Sequence, residues 1–203
     1  MNVKADKSYM CQASVFLFSA CLLGLGTACI VCAGIGADAL STLALGMSVH
    51  VGLTVDILIF AIMYGMMAIA FFLDRKKVGF LSLIYPLFST VVMRMSMQRL
   101  YPTNQIMVYM ILLCGIVCMA LAITVGSTVN ICCNPYDALA FTVMQRLGCS
   151  YTVVRWMIDG IYLISGMLLG STIGVGTLLI LLLLGPCVDV CMKVHAYLYK
   201  TYC

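Results

Sequence analysis

Hydrophobic residues in this chain occur in long runs, separated by short stretches that carry most of the charges. Six runs approach the roughly 20 apolar residues that a helical membrane crossing needs: 13–35, 53–73, 78–98, 105–129, 152–170 and 172–192. Two shorter stretches lie between them, Ala37–His50 and Tyr136–Leu147. At 1.5 Å per residue each reaches only about 20 Å, so we predict re-entrant or interfacial helices there. The pattern predicts an all-α transmembrane bundle of about six spans plus two short helices; eight spans is the alternative.

Composition supports this interpretation. Of the 203 residues, 64% are hydrophobic and 9% charged, and the mean hydropathy is +1.14, well outside the range of a soluble domain. The net charge of +4 comes from Lys and Arg near the ends of the runs. This charge is typical of a topology signal and gives no support to a nucleic-acid surface.

The basic residues bear on topology. With a cytoplasmic amino terminus, six spans place nine Lys and Arg residues inside and two outside, whereas eight spans give eight and three. We therefore favour six spans, and both arrangements predict cytoplasmic termini. Lys4 and Lys7 precede an apolar run that is too long for a signal peptide, so we interpret this run as a retained anchor.

The two halves of the chain share an order of motifs. Gly36-Ala37-Asp38-Ala39-Leu40 has a counterpart in Asn134-Pro135-Tyr136-Asp137-Ala138-Leu139, and a glycine turn, a Gly-Met helix and a proline-containing helix follow in both halves. We divide the chain into a cytoplasmic segment (1–12), two membrane repeats (13–99 and 100–195) and a tail (196–203). Three crossings per repeat would invert the second repeat relative to the first, which is a recurring plan of secondary transporters.

Several polar residues are candidates for a substrate or ion site. Asp38 and Asp137, with Gly36, Asn134 and Pro135, mark the starts of the short helices, where N–H groups and carboxylates can meet near the repeat axis. The alternative is that the two Asp residues only cap their helices.

Charged residues inside apolar runs form a second group, because such residues usually face a bundle interior or a cavity. Arg155 and Asp159 are four residues apart on one helix face, which predicts a local ion pair. That pair either neutralises itself or forms one wall of a polar pathway, with Arg94 as a further candidate.

Other features predict packing. Gly166, Gly170 and Gly174 recur every fourth residue, a spacing that lets another helix, including one from a second copy, approach closely. No His lies at ligand spacing from Cys132–Cys133. His195 follows Cys187-x3-Cys191 by four residues, but it lies near the end of an apolar run, where an interfacial histidine is expected. We therefore predict neither a metal nor a cofactor. Enzyme signatures are absent, and we predict that the protein is not an enzyme.

An ordered set of motifs resembles that of the YczE-type bacterial integral membrane proteins, often grouped with YitT: Asn134-Pro135-Tyr136-Asp137-Ala138-Leu139, Leu147-Gly148-Cys149-Ser150-Tyr151-Thr152-Val153, Leu169-Gly170-Ser171-Thr172-Ile173-Gly174-Val175-Gly176-Thr177 and Gly185-Pro186. The chain departs from that pattern at Asn134 and Ala37, where those proteins carry Gly and Pro. The resemblance implies a multi-pass protein of the bacterial cytoplasmic membrane without naming a substrate.

The leading hypothesis is a small transporter, or a substrate-binding membrane component of one, for a small molecule or ion. A non-transporting scaffold or accessory subunit is the alternative, and the vitamin-binding subunit of an energy-coupling transporter also fits the size.

Overall fold

A computed structural model describes residues 3–73, 80–127 and 134–202. These residues form eight α-helices and no strand: α1 Val3–Ala33, α2 Ala39–Val51, α3 Val55–Leu73, α4 Phe80–Met97, α5 Gln105–Ser127, α6 Pro135–Leu147, α7 Tyr151–Leu168 and α8 Val175–Tyr202. The all-α prediction is confirmed, and each apolar run or short stretch corresponds to one helix. The pair Cys132–Cys133 and the charged stretch 74–77 lie outside the described residues.

The short helices have matching boundaries. Both α2 and α6 contain 13 residues, preceded by Asp38 and Asn134 in extended conformation. Gly52 and Gly148 follow them with φ of 71° and 66°, a left-handed conformation that suits glycine and ends a helix. The boundary residues of the two helices are 96 positions apart at either end (Asp38 to Asn134, Gly52 to Gly148).

The helices pack against one another both within each half of the chain and between the two halves. The long helices α1 and α5 pack together, with α4 against α1 and α8 against α5, while α2 packs on α7 and α3 on α6. A side chain at the end of each short helix reaches the end of its partner helix. His50 Nε2 lies 3.2 Å from the carbonyl oxygen of Leu169, and Arg146 Nη2 donates to that of Leu73 at 2.6 Å.

Within the described part of the chain, three helical segments are long and apolar enough to cross a membrane: Ala13–Ala33, Gln105–Ser127 and Val175–Tyr197. Large apolar side chains are also exposed on helices other than these, among them Phe72 on α3 and Leu168 on α7. A soluble monomer rarely exposes apolar surface on this scale. The helices therefore indicate a membrane protein.

Glycines allow backbones to meet where the two halves join. The loop after α1 contacts the start of α8, where the Gly176 N–H donates to the Ile35 carbonyl at 2.9 Å. A Cβ on Gly36 would lie 2.3 Å from the Thr177 nitrogen, and one on Gly174 would lie 2.2 Å from the Ile35 oxygen. Both positions therefore exclude any side chain.

The regularly spaced glycines do not lie along one helix. Because α7 ends at Leu168, Gly170 and Gly174 fall in the connection to α8, and Gly170 has a φ of 88°. Gly166 does pack closely, since a Cβ there would lie 2.9 Å from the Thr42 carbonyl oxygen in α2. The three glycines are therefore not presented together by one helix, because the left-handed Gly170 follows the end of α7. Association of two copies through these glycines stays a prediction.

Candidate functional site

A buried ion cluster joins α6 to α7. Arg155 Nε donates to Asp159 Oδ2 at 2.9 Å, and Arg155 Nη1 lies 3.5 Å from Asp137 Oδ1. The exposed fractions of Arg155, Asp159 and Asp137 are 6%, 3% and 4%. The local ion pair that was predicted from the four-residue spacing is therefore present, and Asp137 joins it from the neighbouring helix.

Two tyrosines complete the cluster. The Tyr151 hydroxyl donates to Asp137 Oδ1 at 2.8 Å and accepts from Arg155 Nη1 at 3.2 Å. The Tyr136 hydroxyl donates to Asp159, and the Tyr136 ring lies 4.2 Å from Cζ of Arg155, a cation–π distance. Sequence reasoning missed both tyrosines. The spacing of Tyr151, Arg155 and Asp159 at four-residue intervals on one helix face was the available signal.

Both carboxylates of the cluster accept hydrogen bonds. Burying a charge is tolerated when it is paired and hydrogen-bonded, and each of the two carboxylates accepts from both Arg155 and a tyrosine. Two carboxylates face one guanidinium, so the cluster carries a formal excess of negative charge.

Asp38 and Asp137 occupy different positions in their helices. Asp38 precedes α2 and makes no side-chain capping bond; its Oδ1 accepts from the Ser41 hydroxyl at 2.5 Å. At α6 the capping residue is Asn134, whose side chain accepts from the Tyr136 N–H at 3.3 Å, and Asp137 lies in the first turn. The motif match aligned the two Asp residues, whereas the helix boundaries align Asp38 with Asn134.

A cavity of about 150 Å³, called here the central cavity, lies beside the cluster. Its walls are formed mostly by apolar side chains of α1 to α5, including Ile59, Phe60 and Met63 of α3. The polar residues that line it from around the short helices and α7 are Asp38, Ser41, Asn134, Tyr136 and Arg155. Residues from both halves of the chain thus meet at one cavity.

The remaining predicted site residues lie elsewhere. Asp137 lines a separate small cavity of about 10 Å³ with Ser19 and Tyr85, which has room for about one water. Pro135 is buried at the first position of α6. Gly36 packs against α8, and Arg94 is exposed near the end of α4. None of these four residues lines the central cavity.

A second polar contact fixes the start of α7. Asp189 on α8 accepts from the Thr152 N–H at 3.2 Å and also from the Thr152 hydroxyl. A side chain that satisfies an amide in the first turn acts as a cap supplied by a neighbouring helix. Asp189 therefore has a structural role, because it orients the helix that carries Arg155.

The fold and the cluster define a helical membrane protein with a buried ion cluster beside a cavity. The chain belongs to a family of unknown function, DUF6198, whose model matches residues 10–193. It is 25% identical over 186 residues to an uncharacterized protein of Haemophilus influenzae, covering 91% of this chain and 85% of that protein. No solved structure matches the chain. The resemblance to YczE-type proteins stays a prediction.

Proposed function

We propose that the protein is a small transporter, or the substrate-binding membrane component of one, and that the central cavity holds its substrate. The observation that carries the proposal is the lining of this cavity, where Asp38 of the first half and Arg155 of the second both contribute. Small-molecule sites are typically apolar cavities with a few placed polar groups. The central cavity has this composition.

The matching register of the two halves supports the proposed inverted repeat. The short helices share their length and a separation of 96 positions, and α3 and α7 begin the same distance apart, at Val55 and Tyr151. The bonds at their ends follow this register too, because His50 corresponds to Arg146 and Leu73 to Leu169. Each half thus places its short helix against the third helix of the other half, as a two-fold relation requires.

The same register supports a six-span topology. At 1.5 Å per residue, α2 and α6 reach about 20 Å, which is too short for a hydrocarbon core of about 30 Å. With α1, α3 and α4 crossing in one half and α5, α7 and α8 in the other, three crossings invert the second half. The site would then lie at the interface of inverted repeats in the bacterial cytoplasmic membrane.

Uptake assays test the proposal. Purified protein is reconstituted into vesicles, and accumulation of a metabolite panel is compared with empty vesicles. Ile59→Trp fills the central cavity and should abolish uptake of whichever solute accumulates. Ile57→Trp is the matched control, because Ile57 is 52% exposed on the same helix and does not line the cavity.

Two results of these uptake assays would contradict the proposal. If no solute accumulates, or if the two tryptophan variants transport equally well at equal abundance, the cavity is not a transport site. The scaffold alternative is favoured by the cluster, whose ion pairs hold α6 and α7 together without any ligand. It predicts that Ile59→Trp leaves the cellular phenotype of the protein unchanged.

A further inference from the structure

The central cavity presents two polar atoms to which the described residues give no hydrogen-bond partner. Arg155 bonds through Nε and Nη1, but its Nη2 donates to no group among the described residues. Asp38 accepts from Ser41 through Oδ1, and no described side chain or N–H contacts its Oδ2. Arg155 is buried, with 6% of its surface exposed, and buried polar groups are normally satisfied, so a ligand or water must complete its Nη2. Asp38 is half-buried and lines the same cavity, so its Oδ2 is available to a ligand there.

Other polar residues in the cavity are already engaged as donors. The Thr27 hydroxyl donates to the Leu23 carbonyl at 2.9 Å, and Ser89 and Thr90 donate to the Pro86 carbonyl at 3.1 and 2.7 Å. Each of these hydroxyls donates its hydrogen bond to a backbone carbonyl oxygen of its own helix. Among the charged groups that line the cavity, one carboxylate oxygen and one guanidinium nitrogen remain without a hydrogen bond to a described residue.

Charge decides which ligand group each of them prefers. Asp38 makes no ion pair with a described residue, so a cation beside it gains a charge-assisted hydrogen bond. Arg155 is different, because Asp137 and Asp159 already outnumber its single positive charge. A second anion there would meet those two carboxylates, whereas an uncharged oxygen can accept from Nη2 without that repulsion.

We infer that the central cavity binds a small organic cation that also carries an uncharged oxygen acceptor, with the ammonium group on Asp38 and the oxygen on Nη2 of Arg155. The inference rests on the proposed function, since it assigns the substrate class of the same site. The ligand's apolar body lies against the flexible thioethers of Met63, Met93 and Met119, which adapt to irregular shapes.

The size of the cavity limits that body. A dry apolar cavity of about 150 Å³ in another protein takes a ring of about six carbon atoms. The central cavity is about as large, and its polar groups lie on its wall. A branched aliphatic amine of similar size therefore fits, and a large polycyclic cation does not.

Four probes with one shared body separate these contributions. Leucinamide carries the ammonium and a neutral carbonyl, 3-methylbutylamine only the ammonium, 4-methylpentanamide only the carbonyl, and leucine the ammonium with a carboxylate. Binding to the full chain in lipid nanodiscs is measured by calorimetry at about pH 6.5, where an α-amino group is protonated. Leucinamide should bind at least about tenfold more tightly than 3-methylbutylamine or 4-methylpentanamide, since each charge-assisted bond contributes about that factor. It should also bind more tightly than leucine, because the carboxylate of leucine would be repelled by Asp137 and Asp159.

Substitutions test which residues of the cavity bind the probes. Asp38→Asn should reduce the affinity of leucinamide to that of 4-methylpentanamide. Arg99→Gln removes a charge from an exposed side chain that does not line the cavity, so it should leave the ranking of the four probes unchanged. Ile59→Trp should abolish binding of leucinamide, while Ile57→Trp should not.

Three results overturn the inference. Leucine binding as tightly as leucinamide would mean that the site accepts an anion. Equal affinities of leucinamide and 4-methylpentanamide would remove the role of Asp38. No binding of any probe at about 10 mM, well above ordinary substrate affinities, would exclude this ligand class. The transporter proposal has its own test, because uptake of an anion or a sugar blocked by Ile59→Trp would sustain it while refuting the cation.

Discussion

Replacing Arg155 by Met tests whether the ion cluster holds α6 and α7 together. The substitution removes the 2.9 Å bond to Asp159, the 3.2 Å bond to Tyr151 and the cation–π contact with Tyr136. Two buried carboxylates are then left without the guanidinium that neutralised them. Removing one partner of a buried ion pair costs about 3–5 kcal/mol, so Arg155→Met should lower the free energy of unfolding by at least about 3 kcal/mol.

Two companion variants calibrate this value. Arg146 is exposed and makes one hydrogen bond to the Leu73 carbonyl, so Arg146→Met should cost about 1 kcal/mol. Asp137→Asn should also cost about 1 kcal/mol or less. It removes only the excess carboxylate, the Arg155–Asp159 pair survives, and the amide oxygen still accepts from Tyr151.

The assay is reversible unfolding in mixed micelles titrated with a denaturing detergent and followed by circular dichroism. The near-ultraviolet signal reports on the packing of the aromatic side chains, Tyr136 and Tyr151 among them, and the helical signal reports on the whole bundle. The reasoning is refuted if Arg155→Met costs no more than Arg146→Met. It is also refuted if Asp137→Asn costs as much as Arg155→Met, because the excess negative charge would then have no consequence.

Three further predictions concern the close contacts, the caps and the topology. Gly36→Ala should destabilise the protein by about 1–3 kcal/mol, because the new Cβ meets the Thr177 backbone. Gly65→Ala places its Cβ in open space on a helix, so it should stabilise the protein by up to about 1 kcal/mol. Detergent unfolding measures both changes. Asp189→Asn should cost about 1 kcal/mol through weaker capping of α7, and equal stability to the original chain would contradict that role. Reporter fusions should place both termini in the cytoplasm, and a fusion at Lys76 should be cytoplasmic for six spans and periplasmic for eight; a periplasmic terminus would overturn both topologies.

Hydrophobic length was enough to predict the helices, because an apolar run with polar or glycine ends has few alternatives to a helix in a membrane. The short stretch predicted at Ala37–His50 forms α2 from Ala39 to Val51, and that at Tyr136–Leu147 forms α6 from Pro135 to Leu147. Ends that depend on one backbone angle were harder to place. The run predicted at 152–170 forms α7 from Tyr151 to Leu168 only, and the left-handed Gly170 lies beyond that end.

The candidate site was predictable only where its contacts are local. Arg155 and Asp159 are neighbours on one helix, so their spacing was sufficient to predict the pair. The contact with Asp137 depends on how α6 packs on α7, and the central cavity depends on six or more elements meeting. Neither can be derived from residue spacing within one segment.

The alignment of Asp38 with Asp137 failed for a physical reason. Each of the two residues is followed by Ala-Leu, and this shared motif suggested that they occupy equivalent positions. Helix starts are set by which residue precedes the first helical turn, and this residue is Asp38 in one case and Asn134 in the other. One aspartate is therefore free to face the cavity, while the other is one turn further on and buried in the cluster.

The two halves contribute chemically different residues to the central cavity at corresponding positions. Across 96 positions Arg155 corresponds to Ile59 and Asp159 to Met63, since α3 and α7 begin at corresponding residues. The first half thus supplies an apolar wall where the second half supplies the ion cluster. A cavity with identical halves would bind a ligand equally well in two orientations, whereas this one offers a carboxylate, a guanidinium and an apolar wall at different places. If the cavity holds a substrate as proposed, this difference between the halves would fix one orientation of an asymmetric ligand.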